Sequence, residues 1–220
     1  MKSEDAFDAY ERLIREWQER LNLVSRGDLE KIKGRHIGDS LKLYELLPEL
    51  KFQTAIDVGC GAGFPGIPLS IVQSDKTFTL VESIAKKCAF LEAAVSALSL
   101  TNVSVICSRS EDLGREKAHR DRYDLAVARA LAHPSTALEL VVPLAKVGGA
   151  CVFWGSGPDW ADRDRIDKVA AMLGGAYVGD KPYHLEGDDR ERKLVLVEKR
   201  SPTPEKYPRR PGVPEKSPLK

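Results

Sequence analysis

Four groups of residues have the types and spacing to handle an adenosine-bearing ligand. The first is Asp57-Val58-Gly59-Cys60-Gly61-Ala62-Gly63-Phe64-Pro65-Gly66, an apolar stretch that breaks into closely spaced glycines before the apolar segment Ile67–Val72. A strand, a glycine turn and a helix start expose bare backbone N–H groups to a ligand. Gly61, Gly63 and Gly66 also satisfy G-x-G-x-x-G, a weak signal when it stands alone. The second is Glu82, 25 residues after Asp57, where a carboxylate would accept from both ribose hydroxyls. The third, Ser110 and Glu111, suits an adenine edge, although Ser108 to Glu111 also reads as an S-x-x-E helix cap. The fourth is Arg129, set among alanines, whose guanidinium calls for an anion, a carboxylate or a nucleobase edge. Hydride transfer would need a further constellation, such as a paired Ser, Tyr and Lys, and no residue pattern supplies one.

These groups need elements to position them. From Thr54 onward short β runs alternate with helical runs. The strands are expected at Thr54–Val58, Thr77–Glu82, Val103–Ser108, Tyr123–Ala128 and Gly149–Trp154. Helices are expected near Pro65–Val72, Ile84–Leu98, Pro134–Lys146 and Ala161–Leu173. Strands this apolar belong to a doubly wound parallel sheet, which binds ligands at the strands' C-terminal ends. Two later β-like runs, Ala176–Leu185 and Lys193–Lys199, flank the polar loop Glu186–Arg192 and suggest an antiparallel hairpin at the sheet edge. Ahead of the sheet, residues 5 to 24 place Phe7, Tyr10, Leu13, Ile14, Trp17, Leu21 and Val24 on one helical face. A second helical pattern, from Leu29 to Leu47, completes an N-terminal cap. The expected organisation is one unit over residues 1–200, with a cap (1–53) on a Rossmann-like core (54–200) and a tail (201–220).

Bulk properties narrow the class. A chain of 220 residues, 42% apolar and 30% charged, suits a soluble globular protein. A net charge of +1 gives no global attraction for nucleic acid, so any basic surface is local. One such patch runs from Arg20 to His36, with five Lys/Arg against Asp28 and Glu30. Met1 to Asp5 is charged and lacks the apolar core of a signal peptide, and no apolar run reaches the ~20 residues of a membrane span. Cys60, Cys88, Cys107 and Cys151 are scattered, which favours free thiols in a reducing, cytoplasmic setting. The four histidines show no ligand spacing, so no metal is expected.

The last twenty residues hold six of the thirteen prolines, with Lys206, Arg209, Arg210, Lys216 and Lys220 against two acids. Such a composition is expected to be extended and unable to pack a core. It reads as a solvated tail, as a basic arm for RNA phosphates, or as a segment folded back across the active site. His36, Asp39 and Ser40 share one helix face at i, i+3 and i+4, either as a polar cluster at the site's mouth or as a hydrogen-bonded cap on the core.

Read from Asp57, the glycine loop resembles motif I of the S-adenosylmethionine (AdoMet) methyltransferases. Extended through Phe64-Pro65-Gly66-Ile67-Pro68-Leu69, it resembles the RsmG (GidB) family of bacterial 16S rRNA guanine-N7 methyltransferases. Asn22-Leu23-Val24-Ser25 and Arg35-His36-Ile37-Gly38-Asp39-Ser40 resemble that family's N-terminal signatures, and Arg129-Ala130 its S-R-A segment. Arg192-Lys193-Leu194-Val195 and Tyr207-Pro208-Arg209-Arg210-Pro211-Gly212 resemble its last strand and its tail.

The resemblance implies a class I AdoMet-methyltransferase fold and methyl transfer to N7 of a guanosine in the 530 loop of small-subunit rRNA. The substrate would be 16S rRNA in the subunit or an assembly intermediate, and the enzyme a monomer. By position, the implied AdoMet contacts are Gly59, Gly61, Gly63, Phe64, Ser110, Glu111 and Arg129, with Glu82, Ser83 and Ile84 near the ribose. Phe64 would wall the cofactor. Arg129 would position the cofactor carboxylate or the guanine O6/N7 edge, with no general base required. The implied RNA-facing residues are Arg35, His36, Asp39, Ser40, Trp154, Arg192, Lys206, Arg209 and Arg210. Trp154 stands where the family usually has lysine, as a base-stacking platform or as filling in the cleft wall. Two other readings share the fold: a methyltransferase for a small molecule, and a nucleotide-binding or oxidoreductase Rossmann module.

Overall fold

The computed structural model describes residues 3–220; Met1 and Lys2, at the start of the charged N-terminus, lie outside the described residues. Seven strands form one sheet in the order β3-β2-β1-β4-β5-β7-β6. They are β1 (Thr54–Val58), β2 (Thr77–Glu82), β3 (Val103–Cys107), β4 (Tyr123–Arg129), β5 (Ala145–Ser156), β6 (Gly175–Leu185) and β7 (Asp188–Lys199). The first five are parallel, and β7 enters antiparallel between β5 and β6.

The central strands are buried on both faces, so successive residues feed different cores. Ile56, Ala126, Cys151 and Val197 point to the layer holding α6 (Pro134–Val141) and α7 (Arg163–Met172). Ala55, Leu125, Val152 and Leu194 point to α2 (Gly38–Leu46) and α3 (Gly66–Val72). α1 (Ser3–Gln18) closes a third cluster with α4 (Ala85–Ala97) through Tyr10, Ile14, Phe90 and Leu91. Each fully buried side chain of this size contributes roughly 1.5–3 kcal/mol. Because β1 pairs with both β2 and β4, the topological switch lies between β1 and β4, and the crevice opens at their C-terminal ends.

Several boundaries differ from the sequence expectation. The first helix stops at Gln18 rather than continuing to residue 24. The Gln18 amide accepts from the N–H groups of Leu23 and Val24 and donates to the Val24 carbonyl, replacing the helical partners of that turn. The cap continues as a 3₁₀ turn, Arg26–Lys31, and a π-helical turn, Ile32–Ile37. The helix expected over 134–146 ends at Val141, and a 3₁₀ turn containing Pro143, which has no N–H to donate, leads directly into a longer β5. The polar stretch 186–192 is a loop only at Glu186–Gly187; beyond Gly187, at φ +69°, it pairs as β7.

The proline-rich tail is packed, contrary to what its composition suggested. Thr203 and Tyr207 are buried, and Arg120 donates to the carbonyls of Thr203, Pro204 and Tyr207. Arg209 chelates Glu139, whose side chain is fully buried. A stiff, proline-rich segment has little chain entropy to lose, and it occupies a core that other elements supply.

Candidate active site

Two cavities flank the C-terminal end of β4, and both are lined by Ala130. The larger, of about 440 Å³, is within the range of cofactor pockets. It is built from the ends of β1 and β2 and the segments following β3 and β4. The structure brings Gly59, Gly61, Glu82, Ser83, Ser110 and Glu111 together along it. The glycine turn is shaped by two carboxylates. Asp57 Oδ2 accepts from the Gly66 N–H at 2.7 Å, and burial lifts its pKa to about 7. A Cβ at Gly66 would lie 2.3 Å from Leu80 Cδ2 and 2.8 Å from Asp57 Oδ2, so only glycine fits there. Glu82 accepts from Gly61 N–H at 3.1 Å and from Ser83 and Ile84 N–H at 2.7 and 2.9 Å. The carboxylate at the end of β2 thus sits against both the glycine turn and the start of α4. Ile84 meets this cluster through its backbone, and its side chain is 50% exposed outside the cavity lining. Ser110 and Glu111 lie on α5 (Ser110–Leu113), whose N-cap is Arg109. The S-x-x-E capping box is not formed: Ser108 Oγ donates to the Arg109 carbonyl instead.

Gly63, Phe64 and Arg129 are absent from this lining. Phe64 turns under the cap, 5.3 Å from the Tyr10 ring and stacked on His36 at 5.0 Å. Arg129 lies over the other side, 4.9 Å from the Phe64 centroid. Its guanidinium reaches away from the larger cavity, donating to Asp39 Oδ2 at 2.9 Å and to His36 Nδ1 at 2.8 Å. The reason is charge: Asp39 is only 2% exposed and holds the nearest buried carboxylate.

The smaller cavity, about 240 Å³, lies on that side. Asp39 is its hub. The Tyr183 hydroxyl donates to Asp39 Oδ1 at 2.7 Å, Arg192 Nη1 stands 3.8 Å from Oδ2, and Trp154 Nε1 donates to the Asp39 carbonyl at 2.8 Å. Trp154 is therefore buried wall, not an exposed stacking platform. Burial and the Asp39 carboxylate push the Tyr183 phenol far above its ordinary value. Arg35 pairs with Asp28 at 2.6 Å, and Arg192 with Asp188 at 2.8 Å.

His36 has a defined tautomer. Arginine has no acceptor, so Nδ1 must accept the Arg129 hydrogen bond and the proton resides on Nε2. Burial, reinforced by Arg129, lowers the pKa to about 4, which keeps the ring neutral. Nε2–H then has no hydrogen-bond partner, its nearest carboxylate being Asp28 at 3.8 Å. Arg192, which lines the same cavity, has a second buried and unpartnered donor in its Nε.

Other expected RNA-facing residues are not at this cavity. Ser40 is fully buried and donates to the His36 carbonyl. Arg209 is consumed by Glu139. Lys206 and Arg210 are exposed on the tail, outside both linings. Missed in the sequence were Tyr183, Asp28 and Arg190 in the smaller cavity and Lys87, Thr136, His133 and Glu215 in the larger. Tyr183 and Glu215 carried no local motif and arrive only through the hairpin and the tail. Among the described residues no cluster of His, Cys, Asp or Glu could hold a metal.

This sheet order, with a glycine turn after β1 and an acid ending β2, defines a class I AdoMet-dependent methyltransferase. Solved structures share the fold: an AdoMet-dependent methyltransferase from Aquifex aeolicus (TM-score 0.56, 15% identical, 79% of this chain and 98% of that one) and M. jannaschii TYW2 in complex with AdoMet (TM-score 0.56, 15% identical, 81% and 77%). The profile of the family described as rRNA small subunit methyltransferase G (GidB) matches residues 3–158. Proteins named ribosomal RNA small subunit methyltransferase G are similar over almost the whole chain. That of Carboxydothermus hydrogenoformans is 41% identical over 97% of this chain and 90% of its own. That of Dictyoglomus thermophilum is 37% identical over 98% and 89%. The chain belongs to the rRNA small subunit methyltransferase G family.

Proposed function

We propose that the protein transfers the methyl group of AdoMet to N7 of a guanosine in the 530 loop of 16S rRNA, in the small ribosomal subunit or an assembly intermediate. The observation that carries this reading is the pair of cavities that share Ala130: one with the residues for an adenosine cofactor, the other lined by His36 and four arginines. AdoMet, when bound, supplies a methyl group on a sulfonium leaving group. The backbone of Gly59 and Gly61 lets it approach, Glu82 and Ser83 take the ribose, and Ser110 and Glu111 border the purine. Phe64 and Arg129 form the partition behind the reacting centre, and Arg129 acts there by positioning His36 and Asp39.

His36 and Arg192 in the lining of the smaller cavity bring hydrogen-bond donors, which suit guanine O6, an acceptor where adenine presents a donor instead. N7 keeps its own lone pair for the methyl group, so no general base is needed, and the step is a matter of alignment. The ring becomes cationic on methylation, with Asp28 and Asp39 within the same cavity. Arg35 and Arg190, the more exposed arginines of the lining, favour the RNA backbone.

The test is transfer of tritiated methyl from AdoMet to small subunits lacking the modification, followed by nucleoside mapping. Label in 7-methylguanosine of the 530 loop is expected. Label in another nucleoside, or none with rRNA and some with a small molecule, would refute the proposal.

A further inference from the structure

The C-terminal strap reaches the cofactor cavity and is hydrogen-bonded to two of its lining residues. The Gly212 N–H donates to Glu111 Oε1 at 2.9 Å. Thr136 Oγ1, itself in the cavity lining, donates to the Pro214 carbonyl at 2.9 Å in a buried bond. Glu215 then contributes to the lining directly. The segment is delivered there by an anchor further back. Arg209 chelates Glu139, the Tyr207 ring is buried, and Gly114 at the end of α5 approaches Pro208 so closely that a Cβ would meet its ring at 2.9 Å. Gly212, at φ +79°, makes the turn that ends this anchored run and starts α8 (Val213–Lys216).

From this arrangement we infer that residues 212–216 are part of the AdoMet site, with the Gly212 N–H as a positioning group for Glu111 and Glu215 as a further binding residue at the purine end. Glu111 is buried and borders the cavity after β3. Its Oε1 is taken by Gly212 and by Arg109 at 3.2 Å, which fixes the carboxylate plane and leaves Oε2 for a ligand. A carboxylate held in one orientation loses little entropy when it accepts a donor such as the adenine amino group. Glu215 brings a second carboxylate to the same end from an exposed position, with no role in the core. The cofactor pocket is thus completed by the extreme C-terminal part of the chain, more than 100 residues after Glu111.

The inference rests on AdoMet as the ligand, and binding to the unaltered chain tests that separately. S-adenosylhomocysteine is titrated calorimetrically into three proteins: the full chain, a chain ending after Pro211, and Glu215→Ala. The shortened chain keeps the Arg209–Glu139 anchor and the Tyr207 contact. It is expected to bind about tenfold more weakly or worse, the equivalent of one or two lost hydrogen bonds. Glu215→Ala is expected to lose about threefold to tenfold, with its melting temperature unchanged. In methyl transfer both should raise KM for AdoMet and retain kcat at saturation, a split that a general loss of fold would not give. No binding to the full chain would reject the cofactor itself. Full-chain binding with unchanged affinity in Glu215→Ala and in the shortened chain overturns the inference; if the shortened chain does not fold, Glu215→Ala alone decides.

Discussion

Acidification should loosen the cap through His36, and the structure sets the size of the effect. The ring is neutral in the folded protein, with its pKa lowered from 6.5 to about 4 by burial and by Arg129. Stability from this group is present above pH 6.5 and is lost as the pH falls towards and through 4. Linkage puts the loss between pH 7.5 and pH 5 at ~2 kcal/mol. Asp57 acts in the opposite sense. Burial raises its pKa from 3.8 to about 7, so its contribution is present at low pH and is lost as the pH rises through 7. Over the same interval Asp57 returns ~2.5 kcal/mol on acidification, which offsets His36 in the unaltered protein. His36→Gln separates the two, because glutamine still accepts from Arg129 and does not titrate. Urea unfolding of both proteins at the two pH values gives the stability difference between them. That difference should shrink by ~2 kcal/mol at the lower pH. A difference constant to within ~0.5 kcal/mol would show that His36 is not held neutral by its surroundings, and the assignment of Nε2–H as a free donor would fall with it.

Three further outcomes are expected. Arg129→Ala removes the nearer of the two cations on the buried Asp39 carboxylate, leaving Arg192 at 3.8 Å, and should cost ~3 kcal/mol in chemical denaturation; adding Asp39→Asn should recover part of that loss. Glu82→Ala should weaken AdoMet binding roughly tenfold to hundredfold by calorimetry, as for a lost charge-assisted contact. Gly66→Ala forces a methyl group against Leu80 and Asp57 and should destabilise the protein by ~1–3 kcal/mol or more in thermal unfolding.

Periodicity and the glycine loop made the core legible. β1 and β2 carry the ends read from the sequence, because a strand buried on both faces is an apolar run bounded by polar or glycine punctuation. Local competition hid other boundaries. The Gln18 side chain ends α1, and Pro143 hands residues 145–148 to β5 although their composition continues the helix. The tail misled for a related reason: composition reports whether a segment can build its own core, and residues 201–220 use one built by α6 and the turn after β3.

What the sequence determined by itself is the chemistry available at the strand ends: a glycine turn that needs Gly66 beside Asp57, an acid closing β2, and an arginine closing β4. These are local consequences of strand, turn and helix following one another, so short-range pattern suffices to find them. Only the tertiary structure decided where Arg129 and Phe64 point. His36 of the cap meets both, and Asp39, the partner of Arg129, is held in turn by Tyr183 of the hairpin, 144 residues further on. A buried carboxylate takes whichever cation the fold brings within reach, and spacing along the chain does not encode that choice.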